Sequence, residues 1–337
     1  MDTSEIEGKY KSIIPFYDRL GKNLKENLEG FLKFQDIPYV NVEYRIKEFK
    51  SLQNKITRKK YKNPLIDIED FCGVRVVCYY QPDITKIKSI VEKEFNIQES
   101  SSKEESLGVD QFGYRSTHMI VTIRDEWLKA PPYRELKGLK AEIQIRSILM
   151  HSWAAISHKL SYKKEQDIPF EFSRRLSRLS ALIELADEQF EALRNERDKY
   201  RKNLGSILED ETVFPEEAYL NIDTLQVLLD FYFNNRERKE GELSELIQDI
   251  NNARISLADI KRYFQKSKPI IFDQESEDIF KKYYFNVSEL NQIGLCRFIL
   301  DITNDKFWKS GKGKNTPSKL RNEMKEKFEK GSSERRN

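Results

Sequence analysis

The chain of 337 residues is poor in cysteine and histidine, with three of each. Cys72, Cys78 and Cys296 are odd in number and show no C-x-x-C spacing, which argues against a disulfide framework and against a cysteine zinc site. His118, His151 and His158 form no H-E-x-x-H, so the zinc-hydrolase pattern is missing too. Long apolar runs are also absent. None approaches the ~20 residues that span a bilayer, and the opening MDTSEIEGKYKS has no apolar signal core, so a cytoplasmic protein without a membrane partner is expected. Neither G-x-x-x-x-G-K-[ST] nor a kinase glycine-rich loop occurs, and any phosphates must be held by other means.

What the sequence does have is charge: 34% of residues are charged and 38% hydrophobic, the profile of a helix-rich globular protein. Its length allows two domains. The net charge of +3 is unevenly spread. Ten Lys and Arg against four Glu from Lys309 to Asn337 give that stretch +6 and leave the remainder at −3. Residues 311–337, with SGKGKNTPS, read as a basic, flexible tail.

Phe16, Leu20, Leu24, Leu28 and Phe31 lie three and four apart and predict a helix over 13–34; a second helix is expected from about Val42 to Lys60. GVRVVCYY, from Gly73 to Tyr80, predicts a buried strand, and QPDITKIKSIVEKEF an amphipathic helix with Ile84, Ile87, Ile90 and Val91 inward. STHMIVTI and KAEIQIR predict further strands. Helices should follow over 148–161 and about 170–204, the latter with Leu176, Leu179, Ile183, Ala186, Phe190 and Leu193 in register. Strands crossed and flanked by helices imply an α/β or α+β layer on a mixed sheet over residues 1–204. Residues 205–310 show helical periodicity only and read as a smaller all-helical domain, a surface for a protein regulator or for homo-oligomer formation.

Four polar clusters stand out in the first half. In KAEIQIR, side chains alternate, so Ala141, Ile143 and Ile145 share one face while Glu142, Gln144 and Arg146 share the other. Alone, that is an ordinary half-wet strand. YRIKEFKSLQNKITR places Lys47, Ser51, Lys55 and Arg58 at steps of four, four and three, one cationic helix face that includes a hydroxyl, as polyphosphate recognition favours. DIEDFCGVR sets Asp70 just before a buried strand and Arg75 inside it, where each needs a partner. FGYRSTH combines a glycine, a ring, an arginine and a histidine at a strand entry, so a base could stack on Tyr114. Together they supply two separated carboxylates for a divalent metal, cations for phosphates and a ring for a base, the inventory of phosphoryl-group transfer. His151 and His158, seven apart, read as a hydrogen-bonded packing pair rather than metal ligands.

In order and spacing, R-x-K-x-x-x-S-x-x-x-K, D-x-x-G-x-R, G-Y-x-S-x-H, E-x-Q-x-R and H-K-x-x-Y-K resemble the synthetase domain of the RelA/SpoT alarmone synthetases over about residues 40–200. Without hydrolase or regulatory modules, the chain resembles a small stand-alone member. The resemblance implies a nucleotidyltransferase-like mixed β-sheet flanked by helices. It also implies transfer of the β,γ-pyrophosphate of ATP to the ribose 3′-hydroxyl of GDP or GTP, with Mg2+ as cofactor. On that basis Asp70 is a metal ligand and Glu142 a metal ligand or the base toward the 3′-hydroxyl. Arg45 and Arg75 would sandwich adenine, and Lys47, Ser51 and Lys55 would hold the ATP phosphates. Tyr114 would stack the acceptor base, with His118 and Gln144 lining that pocket; Arg146 remains a structural pair or phosphate contact.

Two positions depart from the family pattern. Asp110 stands where members commonly carry a lysine four residues before the stacking tyrosine, and His151 stands where Asn or Asp is common. Both touch the acceptor side, where a toxin-like relative that pyrophosphorylates the 3′-terminal adenosine of tRNA is a second reading; a third is a catalytically silent nucleotide-sensing or partner-binding module in which the C-terminal helices recognise a partner. The retention of both Asp70 and Glu142 argues against silence.

Overall fold

A computed structural model describes residues 3–59, 61, 63–102, 116–160, 170–209, 219–310 and 316–334. They divide into two compact units, Met1–Arg194 and Asn195–Asn337. The first is built on a five-stranded mixed sheet. In chain order it contains α1 (Thr3–Phe34), β1 (Tyr39–Ile46), α2 (Phe49–Lys59), the single turn α3 (Pro64–Asp67), β2 (Cys72–Cys78), α4 (Gln81–Glu94), β3 (Asn96–Ser102), β4 (Thr117–Thr122), β5 (Ala141–Ser147), α5 (Ile148–Leu160) and the start of α6 (Phe170–Glu209). The sheet order is β1-β2-β5-β4-β3, with β2 and β5 parallel and the other pairs antiparallel.

The alternation read from the strands decides which face is core. Val74, Val76, Ala141, Ile143, Ile145, Met119 and Val121 are buried on one face, against Leu20, Leu24, Leu28 and Leu32 of α1 and Ile87, Ile90 and Val91 of α4. Gly21 permits the close approach of α1 to β1, because a Cβ there would collide with the Tyr44 ring. The opposite face carries Glu43 and Arg45 (β1), Gly73 and Arg75 (β2), Glu142, Gln144 and Arg146 (β5), His118 and Ile120 (β4), and Glu99 and Ser101 (β3), in register across all five strands. One sheet thus has an apolar face for folding and a polar face for chemistry.

The helix expected over 42–60 is instead strand β1 followed by α2. Val42 and Tyr44 alternate with Asn41, Glu43 and Arg45, and the period-2 pattern pairs with β2, which outweighs any local helical preference. Lys47 therefore sits between the two elements and not on a helix face with Ser51, Lys55 and Arg58. Strand β3, NIQESSS, escaped sequence reading because a polar edge strand has little apolar alternation. The α6 stripe is rotated from expectation: Leu176, Ile183 and Ala186 are half-buried, Leu179, Phe190 and Leu193 are more than half exposed, and Ser180 and Asp187 are buried. Two carboxylate contacts tie the helix down. Ser147 Oγ donates to Asp187 Oδ2 at 2.7 Å, and Arg194 pairs at 2.8 Å with Asp83, which is fully buried.

The second unit contains α7 (Ile222–Tyr232), α8 (Leu243–Asn252), α9 (Leu257–Ile271), α10 (Gln274–Lys282), α11 (Gln292–Thr303), α12 (Asp305–Ser310) and α13 (Ser318–Glu334). Its core gathers Leu225, Leu229, Leu246, Ile260, Phe264, Phe298 and Ile299, among others, and capping boxes at Asn221–Thr224 and Ser256–Asp259 start α7 and α9. The tail expected over 311–337 is corrected in part: residues 318–334 form α13, which buries Leu320 and Met324 in this core and pairs Lys327 with Asp273. Leu320 and Met324, four apart, are the apolar stripe that the high charge obscured. No helix among the described residues is long and apolar enough to cross a membrane.

Candidate active site

Asp70 lies two residues before β2, and its carboxylate is gripped from two sides. Lys47 Nζ lies 2.9 Å from Oδ2 and Lys55 Nζ lies 2.9 Å from Oδ1. The β1-to-α2 junction supplies one lysine and the second turn of α2 the other, so the broken helix still brings both to one point. Burial pushes the Asp70 carboxyl up, but the hydrogen bonds and charges of Lys55 and Lys47 outweigh it and hold the group below the usual carboxylate range.

Glu142 stands on β5, near enough to Asp70 to feel its charge. Its Oε1 is 2.7 Å from Nδ1 of His118, and its Oε2 accepts from Nε2 of Gln144 at 2.9 Å. His118 reaches Ser116 Oγ at 2.6 Å through its other ring nitrogen, and Arg146 donates to Oε1 of Gln144. A chain of hydrogen bonds, Ser116–His118–Glu142–Gln144–Arg146, therefore crosses from β4 to β5. The register explains it, since His118 is directly opposite Gln144 and diagonal to Glu142. Burial raises the Glu142 carboxyl, yet the His118 and Gln144 hydrogen bonds prevail and its pKa ends below the ordinary value.

The two carboxylates open into one pocket of about 340 Å³, lined also by Lys55, Lys59, Glu99, Ser101 and His118. Lys59, Glu99 and Ser101 were not singled out from sequence; β3 carries two of them and had no strand signal. Ser116 was visible in FGYRSTH but gave no hint of its contact with His118. Hard oxygen donors suit Mg2+, which uses one or two carboxylates and completes its shell with phosphate and water oxygens. Asp70 and Glu142 provide such a pair, and among the described residues no group of three or more His, Cys, Asp and Glu could hold a metal ion. The residues present fit a cation that arrives with a substrate's phosphates.

Arg45 is exposed on β1 and pairs across the sheet with Gly73 of β2. Arg75 is half-buried on β2, but Nη1 is paired with Glu43 Oε1 at 2.7 Å, a cross-strand partner hidden from sequence while 42–60 read as helix. Ser51 is exposed on α2. His118 and Gln144, expected to line the acceptor pocket, hold Glu142 in this structure. Arg146 is a structural partner of Gln144, as one of its two readings had it. His151 and His158 are not a packing pair. His158 is exposed, whereas His151 is half-buried with Nδ1 lacking a hydrogen-bond partner, and burial and the charges of Arg75 and Arg146 lower its pKa. Tyr114 and Asp110 lie outside the described residues.

Comparison with known proteins identifies the family. A family model described as a region found in RelA / SpoT proteins matches residues 44–167, which contain both carboxylates and both lysines. GTP pyrophosphokinase YjbM of Bacillus subtilis (strain 168) is 31% identical over 209 residues, 58% of this chain and 92% of that protein. GTP pyrophosphokinase YwaC of the same strain is 29% identical over 165 residues, 48% of this chain and 76% of that protein. Among solved structures, small alarmone synthetase 1 from Bacillus subtilis aligns over 57% of this chain and 98% of its own, at 28% identity and a TM-score of 0.48. With nearly the whole of YjbM matched at this identity, and the polar clusters of the sequence gathered on one sheet face, the chain belongs to the RelA/SpoT family of GTP pyrophosphokinases, the alarmone synthetases.

Proposed function

We propose that the chain transfers the β,γ-diphosphate of ATP to the ribose 3′-hydroxyl of GDP or GTP, forming guanosine tetra- or pentaphosphate and AMP. The observation that carries this reading is the convergence of Asp70, Glu142 and Lys55 on one pocket, with Lys47 on Asp70 from behind. The names of YjbM and YwaC support a guanosine acceptor. In the transfer, the 3′-oxygen attacks the β-phosphorus, the bond to the α–β bridging oxygen breaks, and AMP departs. The hydroxyl proton passes to Glu142, which is ionised at neutral pH and held in one orientation by His118 and Gln144. Lys47, Ser51 and Lys55 take the ATP phosphates, and Arg45 and Arg75 the adenine; a planar cation suits that stacking better than lysine. Tyr114 stacks the acceptor base. Mg2+ would be held by Asp70 and the phosphates, with Glu142 as a ligand only in the alternative where it is not the base, and would neutralise charge on the transferred group.

Incubation of the purified protein with ATP labelled at the γ-phosphate and separate pools of GDP, GTP and deacylated tRNA tests the reading. Label should move to GDP or GTP. Label on tRNA with none on the guanosine nucleotides overturns the choice of acceptor, and label on none of the three overturns the transferase reading.

A further inference from the structure

Five carboxylates line this pocket, Asp67, Glu69, Asp70, Glu99 and Glu142, and the oxygens of the two assigned to the metal already lie against other side chains, Asp70 Oδ1 by an ion pair without an aligned hydrogen bond. Those of Glu142 face a ring nitrogen and an amide, neither of which adds a fixed positive charge. Those of Asp70 face two ammonium groups, one per oxygen, each at 2.9 Å. Lys47, Lys55 and Asp70 together carry a net positive charge, and their side chains are only 16%, 20% and 23% exposed. At Asp70 itself the two ammonium groups oppose a dication and attract a polyphosphate, while Asp67, Glu69, Glu99 and Glu142 add negative charge elsewhere in the pocket. Mg2+ needs oxygens about 2.0–2.1 Å away and yields its waters reluctantly, so it competes for Asp70 with two ammonium groups in contact.

Resting on the proposed reading of Asp70 as a metal ligand, we propose that Lys47 and Lys55 lock Asp70 in the free protein, and that only the phosphates of ATP release it to the metal by drawing the two ammonium groups away. Each lysine has a flexible four-carbon stem, so its charge can swing between carboxylate and phosphate without backbone movement. The nucleotide's charge offsets the ion pairs that are given up. The metal therefore joins together with or after the nucleotide, and the free protein does not load it.

Mn2+ titration followed by electron paramagnetic resonance tests this without any turnover. Wild type and Asp70→Asn, both free of nucleotide, should bind Mn2+ equally weakly, because Asp70 is not available in either. Lys47→Met/Lys55→Met should bind Mn2+ at least tenfold more tightly than wild type, and adding Asp70→Asn should erase that gain. With the α,β-methylene analogue of ATP, Asp70→Asn should lower the wild-type affinity for the Mn2+–analogue complex at least tenfold. Uptake of one Mn2+ per chain by nucleotide-free wild type, lost in Asp70→Asn, overturns the lock. So does a double lysine variant, shown folded by circular dichroism, that binds Mn2+ no better than wild type. If affinity for the Mn2+–analogue complex is indifferent to Asp70, the metal-ligand reading falls and takes the lock with it. The two failures are thereby distinguishable.

Discussion

His118→Ala isolates what holds Glu142 in its working state. The change removes the partner of Glu142 Oε1 and of Ser116 Oγ, and Ser116 is buried. A buried polar group left unsatisfied costs about 1–3 kcal/mol, so a destabilisation of that order is expected at neutral pH. The larger diagnostic is the direction of titration. In the wild type, burial and the Asp70 charge push the Glu142 carboxyl up, and the His118 and Gln144 hydrogen bonds pull it below its ordinary value of 4.5. With His118 gone, the two upward influences face Gln144 alone, and the carboxyl should rise above 4.5. The acid limb of kcat/KM against pH should accordingly move upward. Stability should change with it. In the wild type, the Glu142 contribution is complete above about pH 4.5 and is lost as pH falls through the lowered folded value. In His118→Ala the folded value exceeds the unfolded one, so stability falls as pH rises through it. Kinetics from pH 4 to 8 and urea unfolding over the same range provide both readouts. An acid limb and a pH–stability slope identical to wild type would refute the role given to His118.

Arg45→Ala should weaken ATP binding by about 1 kcal/mol, roughly fivefold in Kd, and Arg45→Lys should not restore it, because stacking requires the planar guanidinium; full recovery with lysine in equilibrium titrations would show that charge alone suffices. In the second unit, burial pushes the Asp301 carboxyl up to about 6, against the hydrogen bond from Thr316 and the charges of Arg321 and Arg297. The folded state then keeps a proton that the unfolded chain releases near 3.8, so stability should fall as pH rises from about 4 to 6, by up to about 3 kcal/mol. Asp301→Asn should flatten that slope and stabilise the chain at pH 7, measured by urea denaturation of the full chain at pH 4, 5, 6 and 7; an unchanged slope would mean that Asp301 does not titrate there.

The sheet's two faces were legible from alternation alone. Ala141, Ile143 and Ile145 are core while Glu142, Gln144 and Arg146 face the site, because a strand's period of two leaves no other choice once one face is apolar. Asp70 could be singled out because a carboxylate before a buried strand must find a partner, and the lysines that serve it were named. Their geometry was misread. Ser51, Lys55 and Arg58 do lie on one helix, but Lys47 precedes it, and only the fold brings Lys47 to Asp70. Pairings between strands, such as Arg75 with Glu43 and His118 with Glu142, depend on register and strand order. No spacing within a single segment encodes them. Polar edge strand β3 and the highly charged α13 were missed for a shared reason: when little apolar surface is buried by an element, its period is faint.

The most direct test is AMP release in the presence of excess GDP or GTP, measured for wild type, Glu142→Gln and Asp70→Asn after each variant's fold is confirmed by urea unfolding. Glu142→Gln keeps the shape of the side chain and removes its capacity to take the proton; Asp70→Asn removes a charge at the phosphates. Wild type should release one AMP for each guanosine 3′-diphosphate formed, and each variant should fall by about a hundredfold or more, several kcal/mol in the barrier. Wild-type AMP release in either folded variant would contradict the assignment of this pocket as the active centre.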